Sequence, residues 1–181
     1  MLFSNNKVAD YINNHYEASW KSLRPVPKVS IDFGNGTVVN RTLNGNIATF
    51  ICTSDGTIID VIAGMYQPED FLQRLQLAEE LVKKLPAAGP ERTQYLTAYH
   101  DSEAARALSG IYSPGLKDDI SENGPRYRQI HKRLAAEPLS KPDDITHWLY
   151  KQVLHADIDD PYLGLKPVLF ATYPFKDEGS N

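Results

Sequence analysis

The spacing of apolar residues predicts a helix first and then a series of strands. Residues 4–16 repeat apolar positions every three or four residues, as in an amphipathic helix, and Ser4 or Asn5 can cap its start. Residues 16–23 are compatible with a short strand, and the prolines within 24–27 exclude a helix there. After these prolines the period becomes two, which is typical of strands with one buried face.

Two hairpins are predicted from glycine-containing turns. Asn35-Gly36 and Asp55-Gly56 supply the positive-φ residues that tight turns need. Residues 47–52 are apolar at both alternating positions, which indicates a central strand covered on two faces. We expect the strands to form one mixed sheet. They span residues 29–33, 37–43, 47–52 and 57–62.

A long helix is predicted next, lying across this sheet. Pro68 fits the first turn of a helix, and Pro86 stops it. Between them one apolar stripe recurs at helical spacing, so we expect the helix to bury that face. The stripe consists of Phe71, Leu72, Leu75, Ala78, Leu81, Val82 and Leu85.

The second half of the chain lacks the period of two and has mostly helical spacing. Residues 86–90, PAAGP, are the expected linker. Tyr95, Tyr99 and Ala105 are the expected packed positions of the first helix after it. The predicted elements are helices over 91–108, over 126–136 and from 141 onward, a loop over 113–125, and an extended apolar cover over 160–174.

Composition narrows the possible functions. The 19 Lys and Arg against 23 Asp and Glu give a net charge of −4, whereas a nucleic-acid-binding protein should present a basic stripe. No apolar run reaches the roughly 18 residues of a membrane span. The single cysteine excludes a CxxC pair and an intrachain disulfide within this sequence. We expect a soluble protein, cytoplasmic by default, although an exported form that has lost its leader would have a similar sequence.

The stretches FSNNKVADYINNHYEASWKSL and NIATFICTSDGTIIDVIAGMYQPEDFLQRLQLAEEL together resemble thioredoxin-like domains. The closing hairpin and final helix of that family are matched by Gly64, Pro68, Glu69, Phe71 and Leu72. The resemblance covers about residues 3–85. It implies an α/β fold: a thioredoxin-like mixed β-sheet with flanking helices.

Two features of the thioredoxin-like family are missing. No CxxC precedes the first helix, and neither Ile47 nor Ala48 supplies the family's cis-proline. The resemblance therefore implies a truncated or divergent thioredoxin-like domain over residues 1–86 without its redox pair. Residues 91–181 would form a mostly helical C-terminal extension packed on it.

Cys52 is the only candidate catalytic thiol. A reactive cysteine needs a nearby positive charge or helix N-terminus to stabilise its thiolate. The nearest charge along the sequence is Asp55, which would raise the thiol pKa. We therefore expect a buried, inert cysteine and no cofactor.

A candidate metal site lies in the sequence HADIDD. One imidazole and three carboxylates could bind a divalent cation if other ligands came from elsewhere in the fold. The alternative, which we favour, is a helix end followed by a polar turn. The residues are His155, Asp157, Asp159 and Asp160.

A basic run lies in the helix predicted over 126–136. It could bind an acidic partner, but we expect a solvated helix face. The run consists of Arg126, Arg128, His131, Lys132 and Arg133.

Three functions stay open at this point. The first is a non-catalytic thioredoxin-like binding or interaction module with a protein partner, whose ligand and oligomeric state are left open. The second is a thiol-redox protein that uses Cys52 or a CxxC encoded upstream of residue 1. The third is a metal-dependent hydrolase that uses the HADIDD residues.

Overall fold

The chain folds as an α/β arrangement of helices and antiparallel strand pairs. A computed structural model describes residues 2–42, 47–64, 66–108, 123–163 and 166. The helices are α1 (Asn6–His15), α2 (Pro68–Lys84), α3 (Pro90–Leu108), α4 (Asn123–Ala136) and α5 (Pro142–Trp148). The strands are β1 (Lys28–Asp32), β2 (Val38–Thr42), β3 (Ala48–Cys52) and β4 (Ile58–Ala63). A 3-10 turn, Leu2–Ser4, precedes α1, and a π-helical turn, Leu149–Val153, continues α5.

The helix boundaries have local causes that the sequence predicts. The Asn5 side chain accepts hydrogen bonds from the amides of Lys7 and Val8, at 3.0 and 3.3 Å, and so caps α1. Pro68 occupies the first turn of α2, where its missing amide hydrogen is not needed. Gly89 adopts a φ of +84° in the linker between α2 and α3.

The prediction of one mixed sheet is wrong for the described residues. They form two separate antiparallel pairs, β1 with β2 and β3 with β4. Alternating apolar residues specify a strand but not its neighbour, and no bond between β2 and β3 joins the two hairpins. The prediction of a short strand over residues 16–23 is also wrong, since these residues pair with no described strand and have no regular secondary structure.

The strand that is covered on both faces is β4 and not β3. All six residues of β4 are buried, whereas in β3 only Ile51 is. One apolar cluster packs β4 residues against α1, α2 and α3, and a second packs others against α4, α5 and the π-helical turn. The helices on both clusters therefore enclose β4.

The prediction of packed positions in α3 is confirmed for Tyr95 and Tyr99, which are half-buried and pack against the first apolar cluster, and is wrong for Ala105, which is exposed. Leu96 and His100 are the completely buried positions of this helix. The buried positions of α2 include the predicted Phe71, Leu75, Ala78 and Leu81, but also Arg74.

No helix in the described part of the chain is long and apolar enough to cross a membrane. Of the predicted loop over 113–125, residues 113–122 lie outside the described residues, and the prediction is wrong for 123–125, which form the first turn of α4. Most of the predicted cover over 160–174 also lies outside the described residues.

Candidate functional site

A buried ion pair lies at the centre of the molecule, between β4 and α2. The Asp60 carboxylate accepts hydrogen bonds from Nε and Nη2 of Arg74, at 3.1 and 2.5 Å, and from the Val61 amide at 2.7 Å. Both side chains are more than nine-tenths buried, and the guanidinium lies 4.3 Å from the centre of the Tyr127 ring. Arg74 of α2 therefore contacts both Asp60 of β4 and Tyr127 of α4.

Two buried histidines extend this pair into α3. His131 Nε2 lies 3.5 Å from an Asp60 carboxylate oxygen, and His131 Nδ1 lies 2.9 Å from His100 Nδ1. Between two neutral rings, one Nδ1 donates the shared hydrogen and the other accepts it. The Nε2 atoms of both His100 and His131 have no hydrogen-bond partner among the described residues.

The electrostatics of this buried cluster favour neutral histidines beside a charged pair. Burial lowers the pKa of His131 to about 3 and that of His100 to about 4, and the Asp60 charge only partly opposes this. Burial also acts to raise the pKa of Asp60, but the Arg74 guanidinium overcomes it and holds that pKa below its usual value. The residues have no exposed face, so the cluster ties four elements together and offers a substrate no access.

The sequence contains a weak signal for this cluster. Asp60 interrupts an otherwise apolar strand, and Arg74 falls three residues after Phe71 on the buried stripe of α2. His131 belongs to the predicted basic helix face, which we expected to be solvated; the expectation is wrong for His131, which is fully buried. The sequence signal for this cluster is therefore a pair of charged residues at positions where the pattern calls for apolar ones, Asp60 in β4 and Arg74 in the next element, α2.

Cys52 lies at the end of β3, where it packs beside the second apolar cluster and is only half-buried. Burial and then the Asp55 charge raise the pKa of its thiol. Arg92 of α3 does reach this turn, but its guanidinium bonds Thr53 Oγ1 at 3.0 Å and Asp55 at 3.2 Å. The Arg92 guanidinium thus neutralises the Asp55 carboxylate, while burial and the Asp55 charge favour the protonated thiol of Cys52.

The HADIDD carboxylates bond other groups of the chain. Asp157 pairs with Lys151 and Asp159 with His147, both at 2.8 Å. The Asp160 side chain accepts the Tyr162 amide, at 2.8 Å, and His155 is exposed with a φ of +50°. Within the described residues, no three His, Cys, Asp or Glu side chains are placed to hold a metal ion.

The same turn anchors the chain that leads into β1. Arg24 donates hydrogen bonds to the backbone carbonyls of Ile158, Asp160 and Pro161. Lys21 lies 3.3 Å from Asp143. These contacts fix the segment just before β1 to the second half of the chain.

Residues 28–42, which we call the arm, form a hairpin that no other described element covers. Neither apolar cluster includes an arm residue, and no other described element makes more than a marginal contact with β1 or β2. One face of the arm nevertheless carries exposed apolar residues: Ile31 lies opposite Val39 and is 43% exposed, and Phe33 is 60% exposed. Arg41, opposite Val29, is the charged residue of this face. Neighbouring exposed apolar side chains on one face of a two-stranded sheet are a candidate interaction surface.

The comparisons with known proteins return nothing: no family model, curated protein or solved structure matches this chain.

Proposed function

We propose that this chain is a non-catalytic binding module on a thioredoxin-like scaffold without a dithiol, and that its arm contacts a protein partner. The observation that carries the proposal is the apolar face of a hairpin on which no described element packs. A lone two-stranded hairpin is marginally stable in water, and its free edges can accept another strand. Strand addition gives such a hairpin both main-chain hydrogen bonds and an apolar contact.

The way the arm is attached supports the same proposal. Arg24 fixes its root by three backbone contacts, so the hairpin is presented in a defined direction. Neither apolar cluster contains a residue of the arm, so binding of a partner to the arm would not disturb the core. A surface that is anchored but carries no part of the core suits recognition.

The thiol-redox alternative has less support from the geometry. The pKa of Cys52 is raised by burial and by Asp55, so little thiolate forms near neutral pH. An insulin-reduction assay tests this directly, with the Cys52→Ser variant as its control. We expect the same background rate for both proteins, and turnover that disappears with Cys52→Ser would overturn the non-catalytic proposal.

The arm itself can be tested with a displayed library of extended peptides, selected on the immobilised protein. We expect peptides whose binding is lost in Phe33→Ser, because that change removes apolar surface from the arm. Leu77→Ser is the matched control, since Leu77 is 54% exposed on α2, away from the arm. Peptides that bind wild type and Phe33→Ser equally, or no recovered binder, would count against the arm as the contact surface.

A further inference from the structure

On the outer edge of β1, a defined set of backbone groups has no partner among the residues that the structure describes. The Phe33 amide donates to the Thr37 carbonyl at 3.1 Å, and Ile31 lies opposite Val39 in the same register. Because antiparallel ladders alternate, Val29 and Ile31 turn their backbone groups toward β2. Lys28, Ser30 and Asp32 therefore turn theirs to the open edge.

The residues on this edge are complementary to themselves. The strand reads Lys-Val-Ser-Ile-Asp, with opposite charges at its ends, similar apolar residues next, and Ser30 in the middle. An antiparallel copy centred on Ser30 aligns all five residues and places Lys28 of each chain opposite Asp32 of the other. Opposite charges directly across a strand pair are stabilising, whereas like charges are not.

We propose that the arm's partner is a second copy of this chain, and that two β1 strands pair edge to edge in the register centred on Ser30. This inference rests on the proposed function, because it names the occupant of the same surface. The two arms would form one four-stranded antiparallel sheet related by a twofold axis. Val29 of each copy would lie opposite Ile31 of the other, which joins the two apolar faces into one.

The edge of β2 offers no comparable pairing. A copy centred on Asn40 would place Val39 opposite Arg41 and Val38 opposite Thr42, with no opposite charges. In β1, by contrast, the residues whose backbone groups face outward include both charged residues, Lys28 and Asp32, and pairing through them places these two opposite each other. Both arguments select the β1 edge.

Charge reversal tests the pairing by sedimentation of the full chain between about 1 μM and 1 mM, the range of weak association. We expect a concentration-dependent dimer for wild type. Lys28→Asp and Asp32→Lys should each weaken it about tenfold or more, because both symmetric pairs become repulsive. An equimolar mixture of the two variants should associate again, since each then meets the opposite charge. Lys7→Asp makes the same change of charge at an exposed position of α1, away from the arm, so it is the matched control and should leave the dimer unchanged.

Backbone substitution tests the edge independently of charge. Ser30→Pro removes an outward amide hydrogen and leaves the bonds from β1 to β2 in place. We expect loss of the dimer with the arm still formed, which hydrogen exchange of the β2 amides reports. A dimer that survives Ser30→Pro, or a mixture that stays monomeric, overturns the proposed register.

A wild-type protein that is monomeric throughout this range overturns the self-pairing but not the binding module. The peptide selection on the same arm then decides the proposed function separately. If peptides bind and require Phe33, the arm is a surface for a different protein strand. If neither a dimer nor peptides are found, both proposals fail.

Discussion

The two hairpins of this protein have similar turns and strand lengths but opposite surroundings. The arm turns at Asn35-Gly36 and the β3/β4 hairpin at Asp55-Gly56, and both glycines adopt positive φ angles of +86° and +84°. In β4 five of the six residues are apolar, whereas in β1 only two of five are. Turn chemistry thus forms a hairpin in either setting, and the number of apolar side chains decides whether helices cover it.

An aspartate in each hairpin makes the same point for charge. Asp32 lies at the exposed end of β1, where its side chain accepts the Gly34 amide at 2.8 Å. Asp60 lies inside β4 and is 4% exposed, with Arg74 as its counter-ion. The first carboxylate shapes a turn in water, and the second holds packed elements in place.

Exchanging these carboxylates for amides should give the largest difference between the hairpins. Asp60→Asn leaves the Arg74 charge buried without its counter-ion, which costs about 3–5 kcal/mol. Asp32→Asn keeps an acceptor for Gly34 and should change the free energy of unfolding by less than about 0.5 kcal/mol. Urea denaturation of both variants measures the contrast, and equal small losses would mean that the buried pair is not formed.

A double substitution shows whether the cost of Asp60→Asn comes from an isolated charge. Asp60→Leu combined with Arg74→Met removes both charges, so it should destabilise less than Asp60→Leu alone. Additive losses would indicate that the two side chains act independently.

Truncating an isoleucine in each hairpin should give the next largest contrast. Ile59 is completely buried in the first apolar cluster, so Ile59→Ala should cost about 2–5 kcal/mol. Ile31 is 43% exposed, and Ile31→Ala should cost less than about 0.5 kcal/mol in the dilute monomer. Thermal and urea unfolding at low protein concentration measure both. A large loss for Ile31→Ala would show that part of this chain covers the arm.

Acid should weaken the core around β4 and leave the arm unaffected, because the arm contains no histidine. Burial lowers the pKa of His131 to about 3 and of His100 to about 4. Both groups titrate near 6.5 in the unfolded chain, which therefore binds more protons than the folded one below that pH. The free energy of unfolding should fall as the pH drops from about 6.5 toward 4, by up to about 1.4 kcal/mol per pH unit for each histidine.

A pH series of urea denaturations measures this slope. His100→Gln removes one buried histidine and should make the slope shallower. A stability that is constant across the window would contradict neutral, buried histidines.

Local structure was predictable because its causes are local. Asn5, Pro68 and the Asp55-Gly56 turn act within a few residues of the boundaries that they set, and all three stand where the pattern places them. The division of the strands into two hairpins was not predictable in this way. Period-two alternation is the same for a strand beside one neighbour and a strand beside two.

The buried cluster was not predicted because its members are distant in sequence. Asp60 and His131 lie on different halves of the chain, and each has a common surface role when considered alone. Their meeting depends on how α4 packs on β4, which follows from apolar contacts between Ile130, Leu134 and β4 residues. The candidate arm was predictable as a hairpin, but its exposure depends on which helices were available to cover it.

The smallest expected effect is a difference in hydrogen-exchange rate between neighbouring amides of β1. In dilute protein the amides of Lys28, Ser30 and Asp32 should exchange hydrogen at nearly the rate of an open chain, because they face the free edge. The amides of Val29 and Ile31 should exchange only a few times more slowly, since they bond to a hairpin that opens easily. Amide exchange followed by NMR resolves these residues.

As the concentration rises, the three outward amides should become protected first, because pairing of two β1 strands covers that edge alone. Protection of the outward amides already in dilute protein would mean that the arm is covered within its own chain, and the distinction between the two hairpins would then fail.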